Sequence, residues 1–164
     1  MNMGKIILDG VILSVIASIF LIAVGHFNPR LFLDDYPEDI QKEAPQKTEK
    51  EKRQSILVKI PFWLLLVAVP LISTLTLKRQ SEGGVSFLHL FLNAFGVVFI
   101  FNLVDLLLLD WVMVCSITPR FMVIPGTEGN VGYKDYFFHV RAFIVGTLLS
   151  IVAGAVIAGI VSFF

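Results

Sequence analysis

The sequence predicts an all-α integral membrane protein, a four-transmembrane-helix bundle with a structured interfacial loop between helices three and four. It reads as a single membrane domain over residues 1–164. Four apolar stretches carry this reading, at about residues 6–27, 56–77, 85–114 and 142–164. Each reaches the roughly 20 residues that a helix needs to cross about 30 Å of hydrocarbon. The mean hydropathy of +0.82 agrees. No soluble fold of 164 residues needs four such runs. Acids and bases balance at 13 each, and without a basic stripe nothing points to a nucleic-acid partner. Cys115 is the only cysteine, which rules out an intrachain disulfide.

The first span opens with Lys5 and an apolar run, as a signal peptide does. Asp9 breaks that run and no small-x-small cleavage site precedes His26, so a retained helix is expected. Gly10, Ser14 and Ser18 recur every four positions and put small side chains on one face for close helix contact. The 28–55 loop begins with Asn28-Pro29. Within it, Pro37 followed by Glu38 and Asp39 predicts the first turn of a short helix. Thr48-Glu49-Lys50-Glu51 fits a capping box, so helix two should begin in water near residue 49. A Glu49–Arg53 pair would support it, and Pro61 and Pro70 should interrupt it, with a kink at Pro70. The loop reads as a solvated, salt-bridged connector. Lys47, Lys50, Lys52 and Arg53 offer a weaker reading as a surface for anionic lipid.

After the third span, Ser116–Phe138 carries Pro119, Pro125, Gly126, Gly129 and Gly132 around the apolar patch 121–124. That patch is too short to span, so it should lie in the membrane interface or re-enter briefly. Tyr133, Tyr136, Phe137 and Phe138 form an aromatic belt ahead of helix four. Helix four carries the small residues Gly146, Ser150, Gly154 and Ala158 at four-residue spacing, a second packing stripe.

Orientation follows from basic residues near the helix ends. One side offers Lys5, Lys78 and Arg79. The other offers Arg30, Lys42, Lys47, Lys50, Lys52, Arg53 and Lys59 together with Arg120, Lys134 and Arg141. The larger loops, 28–55 and 115–141, are therefore expected in the cytoplasm and both termini outside, in the plasma membrane.

Ionisable residues within spans cost about 2.5–3.5 kcal/mol at the helix centre, so each needs a reason. Asp9 and His89 lie near the outer ends of helices one and three and are expected to form a structural polar pair, with Asn93 on the face of His89. Toward the cytoplasmic end, Asn102 and Asp105 share a face. Asp110 stands about 140° around an undistorted α-helix from Asp105, too far for both to bind one metal. His26, Arg120, Glu128, Lys134, Asp135, His139 and Arg141 fall at the same level. Between the polar ends, residues 94–101 carry no polar side chain, which favours a one-sided site over a continuous transport path. No Gly-x-Ser-x-Gly, His-Glu-x-x-His, Cys-x-x-Cys or P-loop occurs. Free amides around Gly126, Gly129 and Gly132, ahead of a helix, could hold a lipid phosphate.

The expected function is a polar site at the cytoplasmic interface that binds or modifies a lipid or another amphipathic or anionic molecule. Asp105 would be proton acceptor or cation ligand and His139 a second acid–base group. Asn102, Asp110 and Lys134 would contact substrate, while Arg120 and Arg141 would clamp an anion. The alternative in which Asp105 merely neutralises Arg120 or Arg141 stands beside this. The other function classes are a non-catalytic subunit packing on a membrane partner or a second copy, and a small ion-coupled transporter. The sequence identifies no cofactor and no metal.

Overall fold

The computed structural model describes residues 3–81 and 84–164. Helix α1 (Met3–Phe27) is followed by a 3-10 helix (Pro29–Asp35), a short α2 (Glu38–Glu43) and a long α3 (Glu49–Arg79). Helix α4 (Phe87–Val104) runs without a break into a π-helical segment (Asp105–Ile117). Two 3-10 turns (Arg120–Met122 and Val131–Lys134) then lead to α5 (Tyr136–Ser162). There is no strand among the described residues. Four helices, Met3–Phe27, Glu49–Arg79, Phe87–Ile117 and Tyr136–Ser162, are long and apolar enough to cross a membrane.

The helix starts follow local chemistry. Glu51 N–H donates to Thr48 Oγ1 (3.2 Å) and Thr48 N–H donates to the Glu51 carboxylate (2.8 Å), which completes the expected capping box. Asp135 accepts from Phe138 N–H at 2.9 Å and opens α5. Pro61 and Pro70 do not interrupt α3, which is helical through both. Pro70 is buried against neighbouring helices, and Thr74 Oγ1 donates to its carbonyl at 2.7 Å. The missing Pro70 N–H frees the Leu66 carbonyl one turn earlier, and α3 continues past it. The expected Glu49–Arg53 pair is also replaced, because Glu49 takes Lys52 at 2.7 Å.

Helix α4 is central and packs against α1, α3 and α5. The small-residue stripes make this possible. A Cβ on Gly10 would lie 2.7 Å from Ile100 Cβ, and one on Gly154 would lie 3.0 Å from Phe95 Cβ and 3.1 Å from its backbone nitrogen. Gly96 receives Ile6 in the same way. Leu13, Ala17, Val97 and Phe101 fill one buried cluster, and Leu90, Ala94, Ile157, Ala158 and Val161 another. Outward-facing side chains such as Ile7, Leu8, Val15, Ile19, Leu148 and Val152 are apolar and exposed, as lipid contact requires.

The two larger loops differ from expectation. They fold against each other into a collar with its own small core of Leu33, Ile40, Ala44, Ile124 and Tyr133. Within the patch 121–124, Ile124 is fully buried against Ile40 and Met122 is buried too, while Phe121 and Val123 are half-buried. A short apolar run can be satisfied by another loop as well as by lipid. Tyr133 leaves the aromatic belt for the same reason, accepting from Ile124 N–H and bonding Thr127 Oγ1, each at 2.7 Å. The basic quartet is broken up as well. Lys47 is buried on Asp34 (2.7 Å) and the Leu31 carbonyl, and Lys52 holds Glu49. Arg30 ties the collar to α3 through Glu51 (2.7 Å) and the carbonyls of Pro45 and Gln46.

Candidate functional site

At the collar end of the bundle lies a cavity of about 310 Å³. Its polar lining comes from Asp35 and Tyr36 of the collar, Lys59 of α3, Asp105 and Asp110 of the π segment, and His139 of α5. Leu21, Phe32, Val58, Phe62 and Trp63 are among its apolar walls. The winding of the π segment builds the acidic wall. Across these 13 residues hydrogen bonds join positions five apart, as in Thr118 N–H to the Met113 carbonyl at 2.8 Å. Side chains five apart then lie nearer to one face than they do on an α-helix. Asp105 and Asp110, expected on different faces, line the same cavity together with Leu109 and Val114. The segment stops at Thr118, whose left-handed φ of 48° is uncommon for a non-glycine residue, just before Pro119.

His139 is buried at 8% exposure. Its Nδ1 lies 3.1 Å from Asp110 Oδ1, while its Nε2 has no hydrogen-bond partner among the described residues. With Nδ1–H donated to the carboxylate, Nε2 is left as the basic nitrogen. Asp105 makes no side-chain hydrogen bond or ion pair with any described residue, and neither Arg120 nor Arg141 neutralises it. At the mouth, Lys59 Nζ lies 2.9 Å from Asp35 Oδ2. Tyr36 Oη donates to the Met122 carbonyl at 2.8 Å. Burial first, then the nearby Tyr133, Asp35 and Asp110, push the Tyr36 phenol above its ordinary pKa. No three of the described His, Cys, Asp and Glu side chains converge as metal ligands.

Three of the expected site residues thus meet: Asp105, Asp110 and His139. Asn102 does not join them. Its amide donates to the Phe143 carbonyl and to Thr147 Oγ1, both at 3.0 Å, and its side chain lies over Gly146, so it ties α4 to α5. Arg120, Lys134 and Arg141 are exposed and do not line the cavity, and Arg141 rests 4.5 Å above the Phe137 ring. The anion clamp is therefore not assembled. Two of the three loop-glycine amides are already taken: Gly126 N–H is held by Glu128 and Gly132 N–H by Asn130 Oδ1. His26 packs edge-on against Phe121 instead of entering the cavity.

At the far end of the bundle, Asp9 and His89 do not pair. His89 is exposed and turns back to Ser86 Oγ at 3.0 Å. Asp9 instead holds Lys5 and accepts from Ser73 Oγ at 2.5 Å, and Asn93 donates to Ser73 Oγ and Thr74 Oγ1 at 3.0 Å. This network ties α1, α3 and α4. Sequence reading missed Asp35 and Tyr36 in the cavity because they sit in the loop read as solvated, and Lys59 because it counted only toward orientation. The available signal was the apolar Leu31, Phe32 and Leu33 beside them, which a purely solvated connector has no use for. Compared with protein-family models, with curated proteins and with solved structures, the chain matches none of them.

Proposed function

We propose that this is a multi-pass protein of the plasma membrane whose collar-end cavity receives the positively charged head of an amphipathic molecule. The four long helices form the bundle, the collar faces the cytoplasm and both termini lie outside, in keeping with the excess of Lys and Arg in the collar. The observation that carries the reading is the unpartnered Asp105 carboxyl beside Asp110 on one wall of a cavity whose remaining lining is mostly apolar. Two carboxyl groups in a low-dielectric recess favour a cation or an exchangeable proton. Asp105 is the counter-ion or proton acceptor for the head group. Asp110 orients His139, whose Nε2 accepts a hydrogen bond from it or takes a proton. The exposed positions of Arg120, Lys134 and Arg141 count against an anionic head.

The test is Asp105→Asn, which keeps size and removes the charge. Purified protein in a nonionic maltoside should melt higher with hexadecylamine. Ligand at about 100 times its Kd contributes about 2.7 kcal/mol. The variant should keep the unliganded melting temperature and lose this rise. A variant that responds like the wild type would overturn the reading. So would one that is destabilised yet still responds, which would give Asp105 a structural role.

A further inference from the structure

A second recess adjoins the cavity. It lies between α1 and α3, is lined by Phe20, Ala23, Val24, Phe27, Leu57 and Val58 with Gln54 as its polar side chain, and is mostly apolar. Val58 lines both spaces. The wall between them is completed by two rings, Phe20 on the groove side stacked at 6.2 Å on Phe62 on the cavity side. The groove opens outward, where Phe27 is 76% and Leu57 65% exposed. The polar cavity and the apolar groove thus adjoin across Val58 and the Phe20–Phe62 pair, in the order head and tail that an amphipath presents. We infer that the groove between α1 and α3 holds the hydrocarbon chain of the molecule whose head enters the cavity, so that the ligand is a long-chain cationic amphipath and not a small soluble cation.

This inference rests on the head-group reading above, and the experiment separates the two. Octylamine and hexadecylamine share one head and differ only in chain length, so both are titrated against the protein in the same maltoside micelles by thermal shift. Two variants, Ala23→Trp and Leu57→Trp, fill the groove from exposed positions on opposite helices. Unliganded melts and gel filtration confirm that each folds. In the wild type hexadecylamine should bind more tightly than octylamine, because its longer chain makes packing contacts along the groove that the shorter chain cannot reach. In both groove variants its affinity should fall by about tenfold or more, about 1.4 kcal/mol, toward that of octylamine, whose own affinity stays unchanged. A wild-type preference for the long chain that survives in both variants would overturn the groove assignment. Loss of both amines in Asp105→Asn, with the long-chain preference erased only by the groove variants, supports both readings. An Asp105→Asn protein that binds both amines normally refutes the head site but leaves the groove standing.

Discussion

Gly154→Leu tests one of the close glycine contacts in the bundle, made partly against backbone. A Cβ added at Gly154 would stand 3.0 Å from Phe95 Cβ, 3.1 Å from its nitrogen and 3.2 Å from its Cα. Carbon atoms prefer about 3.5–4.0 Å, so α5 must back away from α4 by about half an ångström for the first atom alone. Two of the three obstructing atoms are backbone, which cannot turn aside as a side chain can. Overpacking of this kind costs about 1–3 kcal/mol, and replacing a helical glycine returns only about 0.5–1 kcal/mol. A leucine carries three further carbons into the same gap, so a net loss of about 2 kcal/mol is expected. At about 2–4 °C per kcal/mol for a chain of this size, the melting temperature in mild detergent should fall by about 4–8 °C. Gly159 is the control, because a Cβ there meets nothing within 4 Å. Gly159→Leu should leave the melt unchanged or raise it slightly through helix propensity. If the two leucine variants melt within about 1 °C of each other, the stripe does not hold the helices together.

Asn102→Leu removes the amide that bonds the Phe143 carbonyl and Thr147. It should cost about 1 kcal/mol while the hexadecylamine response persists, and an unchanged melt with a lost response would return Asn102 to the site. Orientation is tested by Lys50→Cys, since Lys50 is exposed in the first turn of α3 beside the collar and the native Cys115, 1% exposed, stays silent. A membrane-impermeant thiol reagent should miss it in intact cells and reach it after permeabilisation, and labelling of intact cells would invert the topology. Tyr36, with its folded pKa raised above the ordinary 10.0, favours the neutral phenol in the fold. Its contribution is therefore complete below that value and is lost as pH rises through the folded pKa. Melts at rising alkaline pH should show the wild type losing more stability than Tyr36→Phe, and parallel curves would contradict the buried placement.

The helices were legible because the bilayer sets their length and the caps set their starts. Thr48 and Glu51 placed the beginning of α3, and the spacing of Gly146, Ser150 and Gly154 marked the face that α4 approaches. The site was legible in its residue types and not in its geometry. Asp105 and Asp110 diverge on an α-helix and converge on a π-helix, and winding is decided by packing that no local pattern in 105–117 announces. Asp9 found Ser73 and not His89 because one rotatable carboxyl can reach any helix that passes at its depth, and sequence gives depth without neighbours. The collar was hidden for a related reason. Ile40 and Ile124 lie in separate loops, each too weakly apolar to declare a core until they meet.

The collar has a bearing on how the chain is made. Its ties join distant parts of the sequence: Tyr36 reaches the Met122 carbonyl across 86 residues and Asn130 reaches Glu43 across 87. Synthesis runs from the N-terminus, and a segment can fold only against what has already emerged. While α1, α3 and α4 enter the membrane, Leu33, Ile40 and Ala44 have no partner, because Ile124 and Tyr133 do not yet exist. His139 arrives later still, with α5. The cavity is therefore absent from every nascent chain and completes only with the final helix. Until Ile124 and Tyr133 emerge, the half-built collar exposes an apolar surface. A chain halted or truncated before Ile124 carries that surface permanently, a mark by which a quality-control chaperone or protease can tell it from the finished protein.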